Sequence, residues 1–220
     1  MKLFIDTGNI EEIKEVASWG VLEGVTTNPT LIAKEGKDFK EVVKEIVNLV
    51  NCPLCVETLV SAQLTAAKSD EMLQQAEELI KLDDKVVIKI PISEEGLKVV
   101  KILSERGIKT NVTLNFSANQ ALMAAKAGAT YVSILSGRLD DIGNQGADVV
   151  RDARAIFDLN NIKAELIVAA IHHPYQVIEA ALAGAHIATL PYAILKKMVK
   201  HPLTDVGVDR FLKDWETLAK

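Results

Sequence analysis

The feature that most constrains this chain is a strict alternation that runs from end to end. Short β-branched runs, KLFIDT (2–7), GVTTN (24–28), PLCVETL (53–59), KVVIKIP (85–91), KTNVTL (109–114), TYVSIL (130–135), AELIVAA (164–170) and HIATLP (186–191), are separated by longer segments of helical periodicity. DFKEVVKEIVNLV puts Phe39, Val42, Val43, Ile46 and Val50 on one helical face. NIEEIKEVASWG opens with Asn9 as N-cap, carries Glu12 three residues on, and stops at Gly20. Other helical segments stop at Gly107, Gly128 and Gly184. Strands this apolar are covered on both faces, which favours parallel pairing. Alternation of this kind leaves a (β/α)8 barrel or a doubly wound sheet. About eight units favour the barrel, and no G-x-G-x-x-G follows the first run, which weakens the dinucleotide-binding sheet. The expected fold class is therefore α/β, a (β/α)8 TIM barrel spanning 1–220 as one domain. An extra C-terminal helix, about 204–220, carries the apolar stripe Val208, Phe211, Leu212 and Trp215. It is expected to dock on this barrel or on a neighbouring subunit.

Several function classes drop out on composition. A chain of 220 residues can bury a large core. Its formal net charge of −5 argues against wrapping nucleic acid or binding an anionic membrane, so any anionic ligand must be held by a few local groups. No run of ~18 apolar residues suggests a membrane span. MKLFIDTGNI sets Asp6 and Asn9 where a signal peptide needs an apolar core, and a cytoplasmic location is expected. Cys52 and Cys55 form a C-x-x-C. The four histidines (His172, His173, His186 and His201) lie far downstream without metal-ligand spacing, and the motif continues as strand, so two small apolar strand residues are expected and no metal site. His173 and His201, each followed by proline, read as packing residues at helix starts.

In a (β/α)8 barrel chemistry gathers at the C-terminal ends of the strands. Here those ends carry Asp6, Asn28, Glu57, Lys89, Asn111, Thr113 and Ser133. Each has an ordinary structural explanation: Asp6 could cap the first helix, Asn28 before Pro29 could be a turn, and Glu57 could pair with Lys89 in a buried ion pair. Their coincidence at one end of so many strands favours a site, because several unpaired buried polar groups would cost ~1–3 kcal/mol each. Lys89, inside the apolar run VVIKIP, is the sharpest case. Lost hydration disfavours an ammonium, and a neutral amine attacks carbonyls to form a Schiff base. Iminium chemistry needs a general acid/base at the cleaved carbinol, and another with water for making and hydrolysing the imine. Asp6 and Glu57 suit those two tasks, with Val87, Ile88 and Ile90 expected to keep the amine dry.

FIDTGNIEEI, GVTTNPTLIAKEG, VVIKIP, GIKTNVTLNFSANQALMAAKAGATYVS, GRLDDIG and HPLTDVGVDRFLKDW together resemble the small-subunit transaldolases, a family that includes the fructose-6-phosphate aldolases. The resemblance covers nearly the whole chain in order. It implies a (β/α)8 barrel, a Schiff-base lysine on the fourth strand, no metal or other cofactor, and ring-shaped homo-oligomers, pentamers or decamers, clasped by the C-terminal helix. Lys89 matches the Schiff-base lysine and Asp6 the acid/base for the C4 hydroxyl proton. Glu57 and Thr113 match the pair that positions water. Asn28 and Asn111 match residues that hold hydroxyls of the dihydroxyacetone unit, Ser133 a substrate-contacting serine, and Arg138 the arginine at the terminal phosphate.

Two departures bear on specificity. The free aldolases of the family carry Gln where this chain has Glu57 and Tyr where it has Leu135; both differences point to group transfer, although Phe is usual there in transaldolases. The family pattern A-A-S-[I/F]-[R/K] is replaced by VAAIH, so Ala170 and His172 stand where a serine and a fixed cation help clamp phosphate. A phosphate monoester prefers several cationic or N–H donors. The replacement fits either a phosphate still held by Arg138, His172 and backbone, or an end group of lower charge such as a sulfonate. Transaldolase activity on a ketose ending in phosphate or sulfonate is expected, with an aldose phosphate as acceptor. Free aldol cleavage, or a non-catalytic sugar-phosphate-binding barrel, are the alternatives.

Overall fold

The computed structural model describes residues 1–36, 38–50, 54–57 (backbone alone) and 68–218. Strands and helices alternate as β1 (Lys2–Asp6), α1 (Ile10–Ser18), β2 (Gly24–Thr26), α2 (Pro29–Lys34), α3 (Phe39–Leu49), β3 (Leu54–Glu57), α4 (Ser69–Ile80), β4 (Val86–Pro91), α5 (Glu94–Glu105), β5 (Thr110–Asn115), α6 (Ala118–Lys126), β6 (Tyr131–Ile134), α7 (Ser136–Asp141), α8 (Gly146–Leu159), β7 (Glu165–Val168), α9 (Pro174–Leu182), β8 (Ile187–Leu190), α10 (Tyr192–Met198) and α11 (Pro202–Leu218). All the strand pairings are parallel and follow chain order, and β8 pairs with β1 to close a barrel.

Local signals account for the elements. Asn9 caps α1, its Oδ1 accepting from the backbone of Glu11 and Glu12 at 2.9 and 3.1 Å. α3 buries Val42, Val43, Ile46 and Val47, the face its periodicity predicts. The short helices α2, α7 and α10 follow β2, β6 and β8, where the sequence reading has only connections. α2 had a readable start, with Asn28 as N-cap and Pro29 at the first helical position.

Residues two apart on a strand share a face, and this rule sorts the sheet into an inner and an outer side. Outward residues such as Ile5, Val25, Ile88, Ile90, Val132 and Val168 belong to the large core between barrel and helices. A second buried cluster, Phe4, Val87, Tyr131, Ile167 and Ile187, fills the barrel interior. Phe4 is in register with Gly24, and a Cβ at Gly24 would stand 2.3–2.4 Å from three Phe4 ring atoms. The glycine leaves the volume that the ring occupies, and this apolar layer is the floor of whatever the barrel holds. It also revises the expectation for Lys89: of its apolar neighbours only Val87 shares its face, whereas Ile88 and Ile90 belong to the helix-side core.

α11 buries no side chain against the described part of this barrel, so the expected docking within the chain is not seen there. None of its side chains is buried, and Phe211 and Trp215 are 72% and 69% exposed. Val208 and Leu212 are exposed as well, so the predicted stripe has no cover among the described residues. Among the described residues no helix is long and apolar enough to cross a membrane.

Candidate active site

Two residues above the floor the inner face turns polar. Stepping up from Phe4, Gly24, Val87, Tyr131, Ile167 and Ile187 gives Asp6, Thr26, Lys89, Ser133, Ala169 and Thr189, and all of these line one cavity of about 670 Å³. Asn28, Thr113, Arg138, Ala170 and His172 line it too. Thus most of the residues singled out from the sequence meet in one place. Asn111 is the partial exception. It is fully buried and not part of the cavity wall; its Oδ1 accepts from the Ser133 hydroxyl at 2.8 Å, and its Nδ2 has no hydrogen-bond partner among the described residues. Glu57 ends β3 in backbone register with Lys89, and its side chain lies outside the described residues. Of the cysteines, Cys52 lies outside the described residues, and Cys55 falls within β3.

Lys89 is buried on β4, with Nζ 3.4 Å from the Thr27 carbonyl oxygen. Its surroundings are more polar than the strand sequence suggests, since the Asp6 carboxylate acts on it across the cup. Burial pushes the Asp6 carboxyl above its ordinary value of 3.8, and the opposing pulls of the Lys89 ammonium and the Thr26 hydroxyl only partly offset this. The Thr26 Oγ1–H donates to Asp6 Oδ1 at 2.6 Å, and Thr26 Oγ1 also lies 2.6 Å from Thr189 Oγ1. A hydroxyl has one proton, so Thr189 must donate to Thr26, and Thr26 to Asp6. This relay holds one Asp6 oxygen, Oδ1, against the Thr26 hydroxyl. Sequence reading missed Thr26 and Thr189, although each sits two places after an inward residue, which is the signal that could have found them.

β5 shows how the wall is shaped. The ladder between β5 and β6 shifts register between Val112 and Asn115, and Leu114 within that stretch has φ +62. The irregularity breaks the alternation, so that Thr113 and Leu114 both line the cavity. Asn115 clips the distortion: its Nδ2 donates to the Val112 carbonyl at 2.9 Å and to the Ser133 carbonyl at 3.0 Å.

The far end of the cavity is built by α7 and by the segment after β7. Ala170 has φ +58, a left-handed conformation unusual for a residue with a Cβ. Its carbonyl oxygen is turned onto Gly137, where a Cβ would come within 1.7 Å of it. Only glycine at 137 permits that approach. Arg138 follows on α7 and His172 comes from the other segment; both line the cavity, and His172 Nδ1 lies 3.3 Å from Asp141 Oδ1. Lys34 of α2 lines the same cavity. No group of three or more His, Cys, Asp or Glu that could hold a metal occurs among the described residues.

A buried amine sharing a cavity with a buried carboxylate over an apolar floor, with an arginine and a histidine at the far end, agrees with what the whole chain is similar to. The transaldolase/fructose-6-phosphate aldolase family model matches residues 3–220. The chain belongs to that family. A probable transaldolase of Alkaliphilus metalliredigens is 58% identical over 220 residues, covering all of both chains. A probable transaldolase of Caldicellulosiruptor saccharolyticus is 58% identical over 221 residues, covering all of this chain and 99% of that one. A probable transaldolase of Clostridium acetobutylicum is 54% identical over 216 residues, covering 98% of each. Within this transaldolase-family cup, the two positions that the sequence reading expects to differ from the family pattern, Ala170 and His172, both line the wall after β7, away from Lys89's strand neighbours β3 and β5.

Proposed function

We propose that the protein is a Schiff-base transaldolase, and that the observation carrying this reading is the buried Lys89 amine sharing a cavity with Asp6. Lys89 Nζ attacks the C2 carbonyl of a ketose and water leaves, forming an iminium. Asp6 accepts the C4 hydroxyl proton, the C3–C4 bond breaks, and its electron pair passes into the iminium to give an enamine while the aldehyde departs. The enamine carbon then attacks the carbonyl of an aldose phosphate, Asp6 returns the proton, and water hydrolyses the new iminium. Thr113, with Glu57, handles that water. A carboxyl held above its ordinary range exchanges protons more readily near neutrality than a solvated aspartate, which suits the two opposite transfers asked of Asp6. Asn28 and Ser133 take hydroxyls of the dihydroxyacetone unit, and Asn111 supports Ser133 from behind. The chemistry calls for no metal or other cofactor.

The far end selects the donor. Arg138 and His172 grip a terminal phosphate or an analogue such as the sulfonate of 6-deoxy-6-sulfofructose. Three features favour an end group of low charge: Ala170 offers no hydroxyl, His172 replaces a fixed cation, and Asp141 faces the His172 ring. The enzyme works in the cytoplasm as one domain over 1–220. Its uncovered α11 packs in a homo-oligomer, a pentameric or decameric ring, because an exposed stripe including Phe211 and Trp215 is the kind of surface that seeks a partner.

Borohydride trapping tests the reading. Incubation with fructose 6-phosphate or 6-deoxy-6-sulfofructose, followed by reduction and peptide mapping, should leave a three-carbon adduct on Lys89. No adduct, or one that persists in Lys89→Ala, refutes the mechanism. Release of free dihydroxyacetone at the rate of acceptor turnover would favour the aldolase alternative, and turnover of the phosphate alone would remove the sulfonate from the proposal.

A further inference from the structure

Behind the far end lies a hydrogen-bond network that the reaction itself does not use. Gln176, on α9, is 5% exposed and uses both ends of its amide. Its Oε1 accepts from the backbone N–H of His172 at 2.8 Å and of His173 at 3.3 Å, and its Nε2 donates to Asp140 Oδ2 at 2.5 Å. Asp140 belongs to α7, two residues after Arg138, and its other oxygen accepts from Gly146 N at 2.8 Å. Two pieces of chain build the far end, α7 with Arg138 and the segment with His172. They touch at Gly137 against the Ala170 carbonyl and, at the exposed rim, at Asp141 against the His172 ring, and the Asp140–Gln176 link ties them again in the buried layer behind. The Asp141–His172 contact is half-exposed and holds little in water, so the buried link is the one that fixes the angle set at Gly137.

We infer that Asp140 and Gln176 are positioning residues that set the spacing of Arg138 and His172, and so the affinity for the charged end of the substrate. This rests on the reading that those two side chains grip that end. α7 has only six residues and starts without a side-chain cap, so it has little rigidity of its own. Gln176→Glu keeps an acceptor for both backbone N–H groups but places a carboxylate against Asp140. The two halves are pushed apart while the segment after β7 keeps its local bonds. Asp140→Asn combined with Gln176→Glu exchanges donor and acceptor across the same link and restores it.

The experiment compares steady-state kinetics on fructose 6-phosphate with kinetics on unphosphorylated fructose. Gln176→Glu should raise KM for the phosphorylated ketose about tenfold with kcat kept, and change kcat/KM on fructose little. The double variant should recover most of the lost affinity. Equal losses on both ketoses, no loss, or no recovery in the double variant would overturn the inference. Arg138→Met separates this from the underlying reading. If it also fails to weaken the phosphorylated ketose selectively, the gripping role falls and the inference with it; if it does so and Gln176→Glu does not, the link alone is wrong. Should Gln176→Glu not fold, as judged by circular dichroism, Asp140→Ala cuts the same link with Gln176 intact and is read by the same ratio.

Discussion

The fit of Phe4 over Gly24 gives a prediction whose size follows from the structure. Gly24→Ala would place a methyl 2.3–2.4 Å from three ring carbons of Phe4, where carbon contacts settle near ~3.5–4.0 Å. The ring must retreat by more than ~1 Å, and it is 1% exposed among Val87, Tyr131, Ile167 and Ile187, which leave it nowhere to go. Overpacking of this kind costs about 1–3 kcal/mol, reduced by the ~0.4–1 kcal/mol that alanine contributes by stiffening the unfolded chain. Phe4→Leu alone leaves a void and also destabilises. Together the two changes relieve each other, because leucine vacates the volume that the methyl enters. Urea unfolding of the wild type, both single variants and the double variant should therefore show a favourable coupling of about 1 kcal/mol or more. Strict additivity would mean that the ring does not lie over Gly24 and that the floor is packed otherwise. Because the floor supports Asp6 and Lys89 directly above it, Gly24→Ala should also slow borohydride-trappable adduct formation, and the double variant should restore it in part.

Other predictions follow the same logic. Asp6 has a raised folded-state pKa, so the stability it contributes is full below its ordinary value and is lost as pH rises through the raised one. Asp6→Asn should then gain in urea midpoint relative to wild type on going from pH 4 to pH 7 while losing turnover, and a relative loss over that range would contradict the assignment. Asn115→Leu strips the side-chain donor from the Val112 and Ser133 carbonyls and should cost about 1–3 kcal/mol for each one left unpaired, read by urea unfolding; a neutral result would show that the clip is dispensable. Trp215→Asp should shift the sedimentation coefficient toward a smaller species if α11 is an intersubunit element, and an unchanged coefficient counts against that role. Gly137→Ala should abolish binding of the phosphorylated ketose, measured by calorimetry, because its methyl cannot coexist with the Ala170 carbonyl.

The alternation of strand and helix was legible because period-2 and period-3.6 patterns are local properties of the chain. The polar cup was legible for a related reason: Asp6, Lys89 and Ser133 interrupt apolar runs at strand ends, where a core residue belongs. Thr26 and Thr189 escaped notice because threonine is at home in any strand, and only the closed barrel places them beside each other. Leu114 could not be read as a wall residue, since its presence there depends on a register shift and a positive φ that nothing in NVTLN announces. The same holds for Asp140 and Gln176, separated by 36 residues and joined only once α7 and α9 are in place. Sequence identified Ala170 and His172 as departures; the structure added that Ala170 helps set the wall through its backbone, by pressing its carbonyl onto Gly137.

The floor and the cup lie two residues apart on the same strands, so they cannot be assembled independently. A slip of one residue in β4 would send Lys89 out among the helices and bring Ile88 or Ile90 into the cavity. The same slip in β1 would exchange Asp6 for Ile5. A molecule able to trap a substrate on Lys89 must therefore have both strands in register and its interior closed. On the proposed mechanism, adduct formation on that lysine is a direct gauge of correctly folded barrels in a preparation, one that a measurement of helix content would not supply.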